Sequence, residues 1–318
     1  MSHTSSPSIL FTGVTGMLGS HLLARSLRLG MRCGVLVRRS KSQSAEQRVN
    51  AILSCFEDAW QSKLGRPIVI DSDLHRRTCG WSETQIRSMR GQWDAMVHCA
   101  ANLRFAPATE SKTNEPYRTN VGGTGHLLDL ARQLAVNRLH HVSTAYVCGV
   151  RTGRVLETEC RVGQSFANDY ENSKAIAEEI VTDASSRGEL ESVTVYRPSI
   201  VIDSSGLAPV SGDRTIFGAY SLYQTLASRF GWPERGQWSR HLGLNGDDRK
   251  NLIDAVWIAE AITTILAQPR FHGCTYHLTA QSGTSIDEID GAFHAATTTW
   301  LNDRPRSNTF DKTNLART

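Results

Sequence analysis

The feature that most constrains the fold is a glycine-rich segment close behind the first apolar run. The apolar run covers residues 9–11, and the chain continues Thr12-Gly13-Val14-Thr15-Gly16-Met17-Leu18-Gly19 before an amphipathic stretch. A strand, a glycine turn and a helix in this order present the N–H groups of a helix N-terminus to the pyrophosphate of a dinucleotide. Gly13 permits the tight turn, Gly16 lets the backbone approach the phosphates, and Gly19 lets the helix pack on the strand. The segment therefore predicts a dinucleotide-binding βαβ unit.

Strand-like and helix-like segments alternate through the first two thirds of the chain. Five further apolar runs are candidate strands: residues 33–37, 67–70, 95–98, 139–142 and 193–196. Apolar residues at helical spacing lie between most of them. Such alternation is typical of βαβ units, whose strands form a parallel sheet with helices on both faces. We predict an α/β protein with a Rossmann-type doubly wound sheet.

The composition changes after Pro198. Residues 204–251 are rich in Gly, Trp, Tyr and Arg, with one predicted helix at 215–230, and residues 255–266 read as a core helix again. We predict a dinucleotide-binding core at residues 1–203, to which 252–268 return. A smaller C-terminal substrate-binding cap and a polar tail are predicted from 204–251 and 269–318.

Composition and charge exclude several classes of protein. The formal net charge of +4 over 318 residues is small and scattered, so no nucleic-acid groove is predicted. No apolar run approaches the roughly 18 residues that cross a bilayer, and the N-terminus lacks the pattern of a secretory signal. Seven cysteines without a Cys-x-x-Cys pair read as reduced thiols of a cytoplasmic protein. No spacing suggests a metal site, and His98, His140 and His141 are predicted to be structural.

The end of the second strand bears on the choice of cofactor. NAD-preferring folds usually carry an acidic residue there, whereas this chain has Arg38 and Arg39. Two guanidiniums can bind a 2′-phosphate by charge-assisted hydrogen bonds, so we predict NADP(H). A solvated basic corner is the alternative. Two more segments are predicted to line the cofactor: Asp73 and Leu74 at the adenine edge, and the small pair Ala100 and Ala101.

A tyrosine and a lysine are spaced for acid–base chemistry on one helix face. Tyr170 and Lys174 stand at positions i and i+4, and a nearby ammonium favours the phenolate form of a phenol. Thr144, at the end of the fifth strand, offers a hydroxyl to a carbonyl oxygen. Lys174 is also predicted to bind the nicotinamide ribose. A Tyr-x-x-x-Lys alone is often a solvated pair, but the order of glycine turn, Thr144 and Tyr170 favours a catalytic site.

These motifs resemble those of the extended short-chain dehydrogenase/reductase superfamily, with the glycine turn matching TGxxGxxG and Tyr170 with Lys174 matching YxxxK. The chain is similar in particular to the branch of fatty acyl-CoA reductases and thioester reductase domains. Four segments carry this narrower resemblance: His98-Cys99-Ala100-Ala101-Asn102-Leu103-Arg104-Phe105, Asn120-Val121-Gly122-Gly123-Thr124, His141-Val142-Ser143-Thr144-Ala145-Tyr146-Val147 and Tyr196-Arg197-Pro198-Ser199-Ile200-Val201.

The resemblance implies roles for particular residues. Thr144, and not Ser143, takes the catalytic Ser/Thr position, and Asn120 supports the active site. The segment Pro198, Ser199 and Ile200 runs past the nicotinamide. The glycine turn contributes Thr12, Gly13, Thr15, Gly16, Met17, Leu18 and Gly19 to the cofactor site.

The implied activity is NADPH-dependent reduction of an acyl thioester, carried on coenzyme A or on an acyl or peptidyl carrier protein, to an aldehyde, which a second hydride would take on to an alcohol. Four aromatic residues are candidates for an acyl channel, with ordinary packing as the alternative: Phe105, Phe217, Tyr220 and Tyr223. A homodimer is expected by analogy alone.

Two other functions stay open at this point. A sugar-nucleotide epimerase, dehydratase or reductase shares the same triad and could hold a nucleoside diphosphate with Arg214, Arg229, Arg235 and Arg240; the HxAAxxRF string disfavours it. A non-catalytic NADP(H)-binding regulator is the second, and the intact Tyr170 and Lys174 disfavour it.

Overall fold

The computed structural model describes residues 6–105, 112–208, 216–230, 239 and 243–303. The strands are β1 (Ser8–Thr12), β2 (Arg32–Val37), β3 (Ile68–Asp71), β4 (Ala95–His98), β5 (Arg138–Val142), β6 (Ser192–Pro198), β7 (Ile200–Ile202), β8 (Arg249–Lys250), β9 (Leu252–Asp254), β10 (Thr275–Leu278) and β11 (Thr284–Ser285). The helices are α1 (Met17–Arg28), α2 (Ala45–Trp60), α3 (Glu83–Met89), α4 (Gly123–Leu134), α5 (Asp169–Ser186), α6 (Ile216–Phe230), α7 (Ala255–Leu266) and α8 (Ile286–Asp303).

The predicted doubly wound α/β fold is confirmed. Among the described residues, seven strands form one parallel sheet in the order β10-β6-β5-β4-β1-β2-β3. Successive residues of β1 face opposite sides of this sheet. Ile9 and Phe11 join a core with Leu22 of α1, whereas Leu10 joins a second core with Leu127 of α4. Both faces are therefore covered by helices.

The parallel register brings the carboxyl ends of four strands to one edge. Thr12 at the end of β1 lies opposite His98 at the end of β4, and His98 lies opposite His141 in β5. Val142, the last residue of β5, lies opposite Tyr196 in β6. In open α/β sheets ligands bind outside the carboxyl ends of the strands, so this edge is where a site is expected.

The chain divides into two compact units at positions that differ from the predicted boundaries. The first unit is Met1–Ile216 with Asn251–Ser282, and the second is Phe217–Lys250 with Gly283–Thr318. Residues 269–282, predicted for the cap, belong to the first unit because β10 pairs with β6 as an edge strand of the main sheet. Most of the predicted tail, residues 304–318, lies outside the described residues.

Within the second unit the predicted helix at 215–230 is confirmed as α6. The rings of Tyr220 and Tyr223 contact Phe293 of α8 at centroid distances of 5.3 and 5.8 Å, and Tyr223 is buried. For these two aromatics the structure shows packing inside their own unit. The side chain of Phe217 lies outside the described residues, as do the side chains of Arg214, Arg229, Arg235 and Arg240. None of the helices in the described part of the chain combines the length and apolarity of a membrane span.

Candidate active site

Two glycines of the turn after β1 leave no room for a side chain. Gly13 has a φ of +77°, and a Cβ there would lie 2.4 Å from the backbone nitrogen of Ala100, just beyond β4. A Cβ at Gly19 would lie 2.1 Å from the carbonyl oxygen of Gly13. The turn therefore presses against both the end of β4 and the first turn of α1, as the sequence predicts.

Gly16 has a different environment. It is the N-cap of α1, and the nearest atom to an added Cβ is the Gly13 oxygen at 3.4 Å. No side chain caps this helix N-terminus and its first turn carries no acidic residue. The unpaired N–H groups and the helix dipole favour an anion here. Thr15 and Met17 flank Gly16 half-buried, whereas Leu18 is buried in the core beneath the turn.

The two arginines after β2 are held differently. The Arg39 side chain donates from Nε to Asp71 Oδ2 at 2.6 Å, and its backbone N–H donates to Asp71 Oδ1 at 3.3 Å. Arg38 makes only a looser contact, with Nη1 4.0 Å from Asp73 Oδ1. The hydrogen bond from Arg39 holds the pKa of the Asp71 carboxyl below its usual value. Asp71 was missed by sequence reasoning, although it ends β3 directly opposite Val37, the residue before Arg38.

Asp73 and Leu74 lie between this basic corner and α4. Asp73 Oδ1 accepts from the backbone N–H of His75 at 3.1 Å, which fixes the turn behind β3. The Leu74 side chain packs against Gly123, the first residue of α4, and its carbonyl accepts from His126 at 2.8 Å. The predicted adenine-edge pair is thus fixed beside Arg38.

The phenol of Tyr170 is buried at the start of α5. Burial raises its pKa above the ordinary value, and a hydrogen bond with the Thr144 side chain opposes that rise. Thr144 follows β5, with Oγ1 3.4 Å from the carbonyl oxygen of Pro198. Residues 144, 170 and 198 therefore meet at one place, which we call the Tyr170 corner together with Lys174 and Asn120.

Lys174 is buried one helical turn beyond Tyr170. Its Nζ donates to the carbonyl oxygen of Val142 at 2.6 Å, and burial lowers its pKa to about 8. The sequence-based prediction was that this ammonium lowers the pKa of Tyr170. That effect stays a prediction: in the structure the side chain that lowers the pKa of Tyr170 is Thr144, and the ammonium is hydrogen-bonded to the end of β5.

Asn120 connects the loop after β4 to helix α5. It lies in a π-helical turn, Arg118–Gly122, that leads into α4. Its side chain accepts from the Asn102 N–H at 2.7 Å and donates to the Asn102 carbonyl at 3.1 Å and to Ser173 Oγ at 2.9 Å. Ala101, the residue before Asn102, is exposed. Because Asn102 is held on both backbone atoms, the loop is fixed relative to the helix that carries Tyr170.

The surroundings of the Tyr170 corner include an exposed aromatic and a segment with an orphaned hydroxyl. Phe105 packs edge-on against Tyr170 at a centroid distance of 5.1 Å while 55% of it stays exposed. Ser199 Oγ, in the turn between β6 and β7, is buried with no hydrogen-bond partner among the described residues. Ile200 begins β7, and its N–H donates to the Asn251 carbonyl at 3.1 Å. The predicted channel residue Phe105 is thus in contact with Tyr170.

A buried ion pair behind the corner was not predicted. Arg197 of β6 donates from Nε to both carboxylate oxygens of Glu178 at 3.1 and 3.2 Å, and both side chains are 2% exposed. Glu178 lies one turn beyond Lys174 on α5. The pair joins the helix that carries Tyr170 to the strand that ends at Pro198. An arginine at the end of an apolar strand was the available signal in the sequence.

The chain is similar to several known proteins. The model of a family described as Male sterility protein matches residues 11–242. The nonribosomal peptide synthetase asaC of Aspergillus flavus is 24% identical over 308 residues, and fatty acyl-CoA reductase 2 of Mus musculus is 29% identical over 234 residues. These matches cover 91% and 62% of this chain.

Among solved structures, the terminal R domain from the myxalamid PKS-NRPS biosynthetic pathway has a TM-score of 0.72 and 26% identity, covering 92% of this chain and 70% of that one. The chain spans only 28% of the peptide synthetase and 44% of the mouse reductase. The predicted resemblance to fatty acyl-CoA reductases and thioester reductase domains is confirmed.

Proposed function

We propose that this chain, which belongs to the Male sterility protein family, reduces an acyl thioester to an aldehyde with NADPH. The family consists of nicotinamide-dependent oxidoreductases of the extended short-chain dehydrogenase/reductase type. The observation that carries the proposal is that the Thr144 hydroxyl lies beside the buried phenol of Tyr170, so that one carbonyl oxygen can accept from both groups. The thioester as substrate is supported by the reductases among the relatives.

The residues around the glycine turn fit a dinucleotide. The space at Gly16 and the uncapped N-terminus of α1 suit a pyrophosphate, and Thr12, Gly13 and Gly19 shape that turn. Asp73 and Leu74 suit the adenine edge, while Ala100 and Ala101 leave room beside β4. Ser199, with Pro198 and Ile200, would line the nicotinamide end, where its orphaned hydroxyl is available to a carboxamide. When bound, the reduced nicotinamide supplies a hydride.

The chain's own residues would act on the carbonyl oxygen of the substrate. Thr144 and Tyr170 donate hydrogen bonds to that oxygen as it gains negative charge, which stabilises the transition state more than the ground state. Tyr170 then gives its proton to this oxygen. A phenol with a raised pKa is a weak acid, but it can protonate the oxygen because an alkoxide is a strong base. The ammonium of Lys174 binds the ribose hydroxyls and stabilises the phenolate that remains.

Carbon–sulfur cleavage completes the reaction. The hemithioacetal releases a thiol and an aldehyde, so one NADPH and one proton are consumed for each thioester. We propose coenzyme A or an acyl or peptidyl carrier protein as the thiol. A second round on the aldehyde would yield an alcohol. No protein residue needs to be acylated.

The test is a turnover screen with the purified chain, NADPH and thioesters of coenzyme A or of a loaded carrier protein. Equal amounts of NADP⁺, free thiol and aldehyde support the proposal, and two NADP⁺ for each thiol, with alcohol as product, add the second step. Turnover of a nucleoside-diphosphate sugar instead would assign the epimerase or dehydratase reading. NADPH binding without turnover of either class would assign a regulator.

Two adjacent hydroxyls provide a matched control. Thr144→Val keeps the shape but removes a donor to the oxyanion, and the reduction rate should fall by about a hundredfold. Ser143→Ala removes a buried hydroxyl that has no hydrogen-bond partner among the described residues, so the rate should stay near that of the wild type. The reverse result would move the catalytic hydroxyl to Ser143.

A further inference from the structure

His98 makes a hydrogen bond from each ring nitrogen inside the core. At the end of β4, its Nδ1 lies 2.8 Å from Thr12 Oγ1 and its Nε2 lies 3.0 Å from Thr124 Oγ1. Thr12 is the residue from which the glycine turn leaves β1, and Thr124 lies in the first turn of α4. All three side chains are 1% exposed, so no solvent replaces these contacts. One imidazole therefore joins the glycine turn to helix α4.

The direction of every hydrogen bond in this set can be assigned. Thr124 Oγ1 lies 2.6 Å from the carbonyl oxygen of Asn120, which can only accept, so the Thr124 hydroxyl donates there and accepts from His98 Nε2–H. Burial lowers the pKa of His98 to about 3, so the ring is neutral and Nδ1 is an acceptor. The Thr12 hydroxyl donates to Nδ1, and its oxygen accepts from the Ala100 N–H at 3.3 Å. These hydrogen bonds, which begin at the Ala100 N–H and end at the Asn120 carbonyl, are called the His98 relay.

The relay continues into the helix that carries Tyr170. The Asn120 side chain donates to Ser173 Oγ at 2.9 Å, and the Ser173 hydroxyl donates to the Tyr170 carbonyl at 2.8 Å. Ser173 also precedes Lys174. Buried networks with every member satisfied restrict their members to one arrangement, whereas a missing partner leaves a costly unpaired group.

We propose that His98 is a positioning residue, and that its Nε2–H tautomer fixes the position of the glycine turn relative to Asn120 and helix α5. The inference rests on the proposed function, because it assigns the two ends of the relay to cofactor binding and to catalysis. The Thr12 end shapes the backbone between Thr12 and Ala100, where the cofactor binds. The Thr124 end fixes the Asn120 backbone, from which the Tyr170 corner is held.

Two substitutions each keep one half of the relay. His98→Asn places an amide oxygen near the Nδ1 position, which keeps the acceptor for Thr12 and removes the donor to Thr124. His98→Gln extends its amide to the Nε2 position, which keeps the donor to Thr124 and removes the acceptor for Thr12. For the Asn variant we expect a Kd for NADPH close to that of the wild type and a kcat lowered about tenfold by misplacement of the donors. For the Gln variant we expect the reverse split, a Kd raised about tenfold and a nearly unchanged kcat.

A histidine that only fills space would give a different result. Both variants would then change Kd and kcat by similar factors, or leave both unchanged, and either outcome overturns the proposal. Thr124 supplies a second test if the His98 variants do not fold. Thr124→Val should lower kcat with little change in Kd, and Thr124→Ser should restore it, because serine keeps the hydroxyl; equal behaviour of these two variants also overturns the proposal.

The binding measurement separates this inference from the proposed function. Fluorescence titration with NADPH needs no acyl substrate. If the wild type bound NADPH but reduced no thioester, the proposed function would fail. The difference in Kd between the Asn and Gln variants would still decide the role of His98.

Discussion

The glycine turn and the Tyr170 corner occupy the same edge of the sheet, but backbone packing shapes the turn, whereas side-chain hydrogen bonds and an ion pair hold the corner. The turn consists of eight consecutive residues, Thr12–Gly19, and its shape comes from backbone that leaves no room for a Cβ at Gly13 and Gly19. The corner is assembled from residues between 102 and 198, held by hydrogen bonds from Asn120 and Lys174 and by the Arg197–Glu178 pair. Added volume should therefore break the turn, whereas loss of one polar atom should break the corner.

The largest effect is expected from the phenol of the corner. Tyr170→Phe removes the proton donor, and reduction rates should fall by roughly a hundredfold to ten-thousandfold. NADPH affinity should stay close to that of the wild type, because the glycine turn is untouched. Single-turnover oxidation of NADPH gives the rate and fluorescence titration gives the affinity.

Tyr276→Phe is the matched control for the loss of a phenol oxygen. Tyr276 lies in edge strand β10 and donates to the Phe271 carbonyl at 2.8 Å, a contact that involves no residue of the Tyr170 corner. Its variant should reduce substrate at nearly the wild-type rate. A Tyr170→Phe enzyme as active as this control would remove Tyr170 from the mechanism.

The turn offers the converse experiment. Gly19→Ala forces a Cβ into the Gly13 backbone, and the free energy of unfolding should fall by about 3 kcal/mol. Gly16→Ala meets only the Gly13 oxygen at 3.4 Å, so its melting temperature should hardly change while the affinity for NADPH falls. Thermal melts with and without NADPH measure both quantities. Equal loss of stability in the two variants would contradict the assignment of the free space at Gly16 to the cofactor.

The same contrast explains what could be predicted from the sequence. The turn is a contiguous pattern, so its strand, glycines and helix were predicted within a residue or two, and β4 was predicted at residues 95–98, as observed. Tyr170 and Lys174 could be predicted as a catalytic pair because their spacing is also local, and the structure buries both side chains on α5. Asp71, Glu178 and the His98 relay were missed, because their partners lie 19 to 88 residues away in the chain and no sequence period relates them. Strand β10 was assigned to the cap for a similar reason: only its pairing with β6 places it in the main sheet.

The pH dependence should report on Lys174. Its pKa is lowered to about 8, so the ammonium is present below that pH and is lost as the pH rises through it. If the protonated form is needed, kcat/KM falls about tenfold for each unit of pH above 8. Arginine stays charged throughout this range, so Lys174→Arg should lose that alkaline limb even if its maximal rate is lower. Persistence of the limb in the arginine variant would assign it to another group.

The smallest effect is expected on NADPH affinity, from the two arginines predicted to bind the 2′-phosphate of the cofactor. Arg39 is already bound by the Asp71 carboxylate, and reaching a phosphate requires that ion pair to open, whereas Arg38 has only a 4.0 Å contact with Asp73. Arg38→Ala should therefore raise the Kd for NADPH by about tenfold, and Arg39→Ala by only about twofold, since exposed ion pairs contribute little. Neither variant should change the Kd for NADH. Asp71→Asn releases Arg39 and should tighten NADPH binding, and adding Arg39→Ala to this variant should remove the gain. If Arg38→Ala and Arg39→Ala raised the Kd for NADPH equally in the wild-type background, Asp71 would not restrain Arg39.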